Sequence, residues 1–261
     1  MNKELTLEER KKVQLEMLDE VDSFCRTNNI RYSLAFGTLL GAIRHKGFIP
    51  WDDDVDIMMP IDDLNKFKET FKSDNISYYD VFNCEKHSFP FSRLAYNKSY
   101  SKVGKVATNY GICIDLYVMV GLMDNKEELS SHFIKGERIN FFRKCIRGVE
   151  KRILKHTPID IKLPLHNWII KKLFKHWTGY AKYGTTNTYY VIAGTLNLRS
   201  KMTYDRDLFA NLIDVEFENK KYLAIADWDY FLTLRYGDYM KLPPVEQRVP
   251  YHGGKYYWKE K

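Results

Sequence analysis

The sequence predicts an α/β fold of the α+β kind, a mixed sheet flanked by helices with a helical insertion and a C-terminal closing segment. Three observations predict it. The segment IRYSLAF alternates apolar side chains at Ile30, Tyr32, Leu34 and Phe36 before a Gly-Thr turn, the period of a half-buried strand. After Pro50, DDDVDIMM sets Val55, Ile57 and Met59 against Asp54 and Asp56. GICIDLYVMV is apolar on both faces except at Asp115, as a central strand covered on both sides requires.

In chain order, Thr6 and Glu9 form a capping box ahead of LEERKKVQLEMLDEVDSFCRTNN. Its apolar stripe, Val13, Met17, Leu18, Val21, Phe24 and Cys25, predicts an amphipathic helix. A short helix is expected from Thr38 to about Lys46-Gly47, and Pro60 closes the acidic strand before the helical pattern DDLNKFKETF. ISYYDVFN and FSRLAY read as strands and the Lys98 to Lys105 stretch as a polar turn region. From Lys126 to about Tyr183 the pattern is helical and basic, and the remainder mixes short elements. The expected division is a core at 1–125, a basic helical insertion at 126–185 and a segment at 186–261 that completes the site.

With 261 residues, 44% of them hydrophobic and 15% aromatic, the chain can bury a full core. A formal charge of +7 favours anionic partners. No basic run interleaved with stacking aromatics stands out, which argues against nucleic acid. Cys25, Cys84, Cys113 and Cys145 form no CxxC pair, against a zinc module, and the seven histidines show no metal-ligand spacing. The charged start MNKELTLEERKK is unlike a signal peptide and no stretch is long enough to span a bilayer. The expectation is a reduced, cytoplasmic protein.

The chemistry concentrates in GTLLGAIRHKGFIPWDDDVDI, residues 37–57. Asp54 and Asp56 are two apart on a strand, so their carboxylates share a face and repel unless a cation lies between them. Asp115, on a strand that is otherwise apolar, is costly to bury unless it is paired or binds metal. If the two strands are neighbours, the three carboxylates converge on one or two Mg²⁺ ions, with Mn²⁺ an alternative. Gly37 lets backbone approach a phosphate, and amides at the start of the Thr38 helix can donate to it. Arg44, His45 and Lys46 end that helix, where they serve either an anionic substrate or only the helix dipole. Asp52 and Asp53 read as a solvated acidic turn, and Arg93 in FPFSRLAY as a phosphate ligand or a structural ion pair.

A Gly-Thr turn, a short helix and a strand with D-x-D resemble the polymerase-β-type nucleotidyltransferase superfamily. The full wording of residues 37–57 closely resembles the LicD family, and GICIDLY, VEFENKKYLAI and YGDYMKLPP, followed by Arg248 and His252, extend the resemblance from about Leu18 to His252. The resemblance implies Mg²⁺-dependent transfer of phosphocholine from CDP-choline to a cell-surface glycan hydroxyl, on a teichoic acid, capsule or lipopolysaccharide, with release of CMP. Asp54, Asp56 and Asp115 would hold the metal, Gly37 and Thr38 would hold nucleotide phosphate, and Asp115 or a metal-bound oxygen is the candidate to take the hydroxyl proton. Arg44, His45, Lys46, Trp51, Arg93, Arg248 and His252 are the further substrate-binding candidates. The alternatives are another CDP-alcohol donor (ribitol, glycerol or ethanolamine), a non-catalytic nucleotide- or glycan-binding regulator, and a nucleotidyltransferase acting on RNA ends. A choline group calls for aromatic faces, for which Trp51, Tyr110, Tyr117, Trp228, Tyr236 and Tyr239 lie near motifs.

In KLPLHNWIIKKLFKHW, Leu165, Trp168, Ile169, Leu173, Phe174 and Trp177 stand against Lys171, Lys172 and Lys175. A core helix with a solvated basic edge is preferred over one lying on an anionic membrane. The second reading suits a lipid-linked acceptor at the inner face of the plasma membrane.

Overall fold

A computed structural model of the chain describes residues 3–84, 87, 89–103, 106–107, 110–153, 164–193, 199–249 and 254–259. Its centre is a mixed sheet in the order β1-β2-β7-β4-β3, made of Ser33–Leu34 (β1), Val55–Pro60 (β2), Ile76–Tyr79 (β3), Ser92–Tyr96 (β4) and Cys113–Leu122 (β7). The strand β7 runs parallel to β2 and antiparallel to β4. The second half of β7 pairs with Thr188–Ile192 (β8), which carries Thr203–Tyr204 (β9) at its edge. Burial of Ile114, Leu116, Val118, Met119 and Val120 fits the central place expected for β7.

The first helix, Leu7–Thr27 (α1), opens with the expected capping box. Thr6 Oγ1 accepts from Glu9 N–H at 3.1 Å, and Glu9 Oε2 accepts from Thr6 N–H at 2.8 Å. Its Val13, Met17, Leu18, Val21 and Cys25 enter the core. Gln14, buried on the same helix, donates to the carbonyls of Asp53 and Cys113, tying it to the starts of β2 and β7. Ile61–Thr70 (α3) follows β2 directly and buries Leu64 and Phe67.

Phe36–His45 (α2) starts earlier than the expected Thr38. Phe36 takes a left-handed backbone at φ 42°, a cost of about 1–2 kcal/mol for a residue with a Cβ. Its ring is held edge-on against Tyr117 at 4.7 Å and tilted against Phe231 at 5.5 Å. Thr38 is buried, and its Oγ1 accepts the Asp56 N–H at 2.8 Å while Asp56 C=O accepts from Ala35 N–H. The turn before α2 therefore fixes the backbone of the acidic strand.

Within the stretch expected as a polar turn region, residues 99–103 are instead strand, while 104 and 105 lie outside the described residues. Ser99–Val103 (β5) pairs with Val106–Ala107 (β6) and with Lys255–Trp258 (β12) near the chain's end. That pairing joins residues more than 150 apart in sequence, and the local polarity gave no sign of it. In the other direction, the strand expected over ISYYDVFN stops at Tyr79. The Asp80 carboxylate turns the chain by accepting the Phe82 and Asn83 N–H groups.

The basic region forms two helices, Lys126–Ile153 (α4) and Pro164–Thr178 (α5). On α5, Ile169, Ile170, Leu173 and Trp177 are buried while Leu165 and Trp168 are exposed. Most of its apolar stripe therefore serves the core. Trp177 packs on Phe133 and Tyr190, and a Cβ at Gly136 of α4 would lie 2.4 Å from its ring. Among the described residues no helix is long and apolar enough to cross a membrane. The C-terminal part adds the short helix Arg199–Met202 (α6), the hairpin Leu212–Phe217 (β10) and Lys220–Ile225 (β11), then Trp228–Tyr236 (α7) and a 3₁₀ turn at Val245–Gln247. If Trp177 locks α5 to α4, Trp177→Ala should lose about 3–5 kcal/mol of stability in urea unfolding. A loss under about 1 kcal/mol would contradict this packing.

Candidate functional site

Three ionic residues stand side by side across the sheet. The parallel register of β2 and β7 sets Asp56 opposite Asp115, and the antiparallel register of β4 sets Arg93 opposite Asp115. Arg93 Nε donates to Asp115 Oδ1 at 2.7 Å and its Nη2 to Oδ2 at 3.2 Å. Burial works against the Arg93 charge, but the adjacent Asp115 outweighs it and raises the guanidinium pKa. Arg93 also lies 4.0 Å over the Phe89 ring. The ion-pair reading of Arg93 is thus what the geometry shows.

Asp56 is not neutralised in this way. Its Oδ1 is buried and has no hydrogen-bond partner. Burial, followed by the charges of Asp54, Asp115 and Asp52, pushes its carboxyl well above the usual carboxylate range, and a hydrogen bond from Tyr117 opposes this only in part. Asp52 is likewise raised, by burial first and then by Asp53, against a side-chain hydrogen bond with Asp54. The site therefore has an orphan buried oxygen and several carboxylates crowded together, and a divalent cation would relieve both.

Among the described residues, the three acidic side chains whose oxygens lie within 4.8 Å of one another, an arrangement able to hold a cation, are Asp52, Asp53 and Asp54. Asp53 differs from the other two because its side chain is fully buried and pairs with Arg10 at 3.5 Å. Neither Asp52 nor Asp53 is the solvated turn residue expected. Asp52 lines the cleft, and a Cβ at Gly37 would fall 2.5 Å from its Oδ2. Only glycine at 37 leaves that carboxylate its place over the first turn of α2.

These groups floor a cleft of about 1050 Å³. Of the expected residues, Gly37, Arg44, Trp51, Asp54, Asp56, Arg93 and Asp115 line it. Thr38, His45, Lys46 and Arg248 do not. Thr38 acts on the Asp56 backbone. His45 Nδ1 accepts from Arg44 Nε at 3.3 Å, and burial and Arg44 lower its pKa. The Lys46 carbonyl accepts the Glu218 N–H at the end of α2. Arg248 donates to the Pro243 carbonyl and lies 5.5 Å over the Trp51 ring. His252 lies outside the described residues.

Of the aromatic candidates, Trp51, Tyr117, Tyr236 and Tyr239 line the cleft, whereas Tyr110 and Trp228 do not. A continuous ring wall, Phe36–Tyr117–Phe91–Phe89, has centroid separations of 4.7, 4.7 and 5.1 Å. The basic lining includes residues sequence reading did not select: Arg143 and Arg147 from α4, Arg235 from α7 and Lys241 beyond it. Arg44 Nη1 donates to the Tyr239 carbonyl at 2.5 Å, which clasps α2 to the C-terminal segment. Burial and then Arg248 weaken the charged form of Arg44. An acidic floor under aromatic walls and arginines has the donor chemistry for a cation together with phosphate.

Comparison with known proteins shows the family of the chain. The LicD/FKTN/FKRP nucleotidyltransferase domain matches residues 29–159, a span holding Gly37, Asp54, Asp56, Arg93 and Asp115. The lipopolysaccharide cholinephosphotransferase LicD of Haemophilus influenzae is 30% identical over 267 residues, covering 96% of this chain and 97% of that protein. Uncharacterized proteins of Rickettsia prowazekii and Rickettsia typhi are 28% and 27% identical over 40% and 44% of this chain, and over 32% of their own lengths. The domain match and the near full-length similarity coincide with the acidic cleft, and the chain belongs to the LicD family.

Proposed function

We propose that this protein transfers phosphocholine from CDP-choline to a hydroxyl of a cell-surface glycan, releasing CMP, with Mg²⁺ (or Mn²⁺) held by the acidic floor. The observation that carries the reading is the uncompensated Asp56 carboxylate beside Asp54 and Asp115 in an arginine-lined cleft. The choline and glycan parts are supported by the similarity to a lipopolysaccharide cholinephosphotransferase over nearly the whole chain. Phosphocholine transfer to a glycan is the general reading. The CDP donor, the metal, a teichoic or capsular acceptor and action at the inner membrane face are its finer parts.

Asp54 and Asp56 hold the cation, and Asp115 presents the lone pairs that Arg93 leaves open. The cation, when bound, neutralises charge on the donor phosphates. The Gly37 backbone, Arg44, Arg235 and Lys241 bind those phosphates, and the rings of the cleft wall take the quaternary ammonium. The acceptor oxygen bonds to the phosphorus bearing choline as that phosphorus separates from the CMP oxygen. Asp115, held by Arg93 in one orientation, takes the hydroxyl proton.

Carboxyls with raised pKa keep protons in the folded state that the unfolded chain releases. Stability from Asp52 and Asp56 is present in acid and falls as pH rises from about 4 through their raised values. The melting temperature of the metal-free protein should fall with pH over that range. Mg²⁺ should restore it, most strongly at the higher pH. Asp56→Asn should stabilise the metal-free protein by about 1–3 kcal/mol and abolish the Mg²⁺ increment. An unchanged increment in that variant would remove Asp56 from the metal site.

Turnover separates the readings. Purified protein with Mg²⁺ and a lipid-linked glycan fraction should release CMP from CDP-choline but not from CDP-ethanolamine, CDP-glycerol or CDP-ribitol, and EDTA should stop it. Asp56→Ala should lower the rate at least about a hundredfold while the protein stays folded. Release from a different CDP-alcohol would replace the donor. Tight donor binding with no release from any of them would mark a regulator.

A further inference from the structure

Arginines line the cleft in two separate places. The first is Arg44, at the junction of α2 and the C-terminal segment, with Arg248 close by but outside the lining. The second is Arg143 with Arg147, one helical turn apart on α4, and both line the cleft. Each pair has its own electrostatic neighbours: Arg44 feels Arg248 and Tyr236, whereas Arg143 feels Arg147.

The second pair is built rather than incidental. Asn140, buried one turn before, accepts from Arg143 Nε at 2.8 Å through its Oδ1. That bond fixes the guanidinium plane and leaves the terminal N–H groups for another acceptor. Among the described residues neither arginine has a carboxylate partner. Burial and the Arg147 charge weaken the charged form of Arg143. Two guanidinium groups near enough for one charge to act on the other suit a ligand with concentrated negative charge, and phosphate matches the fork geometry.

We infer that Arg143 and Arg147 form a second phosphate site, which binds a phosphate group carried by the acceptor glycan while the donor phosphates occupy the acidic end of the cleft. The inference rests on the proposed donor site. The pair would select acceptors bearing a phosphate ester near the receiving hydroxyl, and α4 would bring it to the core as a specificity element.

The test uses two probes, inorganic phosphate and CDP with Mg²⁺, in equilibrium titrations of the full chain. With CDP saturating, phosphate should still bind wild-type protein. Arg143→Gln/Arg147→Gln should weaken phosphate about tenfold to hundredfold and leave the CDP affinity unchanged. Arg143→Lys, which keeps the charge, should recover part of the loss, and circular dichroism should show each variant folded. In turnover, the double variant should raise KM for a phosphate-bearing lipooligosaccharide at little change in kcat, and should not affect a dephosphorylated preparation. The inference is overturned if CDP displaces the phosphate, if the double variant weakens CDP as much as phosphate, if it binds phosphate like wild type, or if wild type shows no saturable phosphate binding. Failure of CDP to bind wild type would instead strike the donor reading, and the phosphate arm would still report on the arginine pair.

Discussion

The charge across β2, β7 and β4 does not balance. Asp56, Asp115 and Arg93 occupy adjacent register positions, and the one guanidinium is bound bidentately to Asp115. Asp56 is left with a buried, unpartnered oxygen beside Asp54 and Asp52. Breaking a buried ion pair typically costs about 3–5 kcal/mol, so an uncompensated buried carboxylate survives only where the surrounding structure imposes it. Here the imposing structure is the whole core. Gln14 of α1 ties β2 to β7, Thr38 and Ala35 hold the Asp56 backbone, and apolar burial on the other face fixes the register.

Strain at the same place fits this account. Phe36 keeps a left-handed backbone conformation directly before Gly37, and its ring begins the aromatic wall next to the carboxylates. Gly37 in turn has the Asp52 carboxylate packed against its Cα. The turn that the sequence presents as a phosphate-binding element thus also positions acidic groups. Sites that depart from local preference in this way are commonly functional ones.

Much of the site was legible because its signals are local. The alternation in DDDVDIMM put Asp54 and Asp56 on one face, the two-sided apolarity of GICIDLYVMV made β7 central, and Thr6 with Glu9 marked the start of α1. The residues that were missed depend on contacts distant in sequence. Arg143 and Arg147 look like solvated charges on a basic helix until α4 is folded over the cleft. The pairing of β5 with β12 has no local signature either. Asp53 reads with Asp52 as solvated, because nothing nearby in sequence announces the Arg10 partner that Asp53 meets when buried. The family resemblance implies a phosphate role for Thr38, and the structure shows its hydroxyl on the Asp56 amide, a use that no spacing rule distinguishes.

Anomalous diffraction from crystals grown with Mn²⁺ and CDP would test the central claim most directly. The account predicts an anomalous peak at the Asp54 and Asp56 carboxylates, with oxygen ligands at roughly 2.0–2.2 Å, and loss of the partnerless state of Asp56 Oδ1. A fully occupied Mn²⁺ on Asp52 and Asp53 that leaves Asp56 untouched, or CDP bound with no metal at the acidic floor, would contradict it.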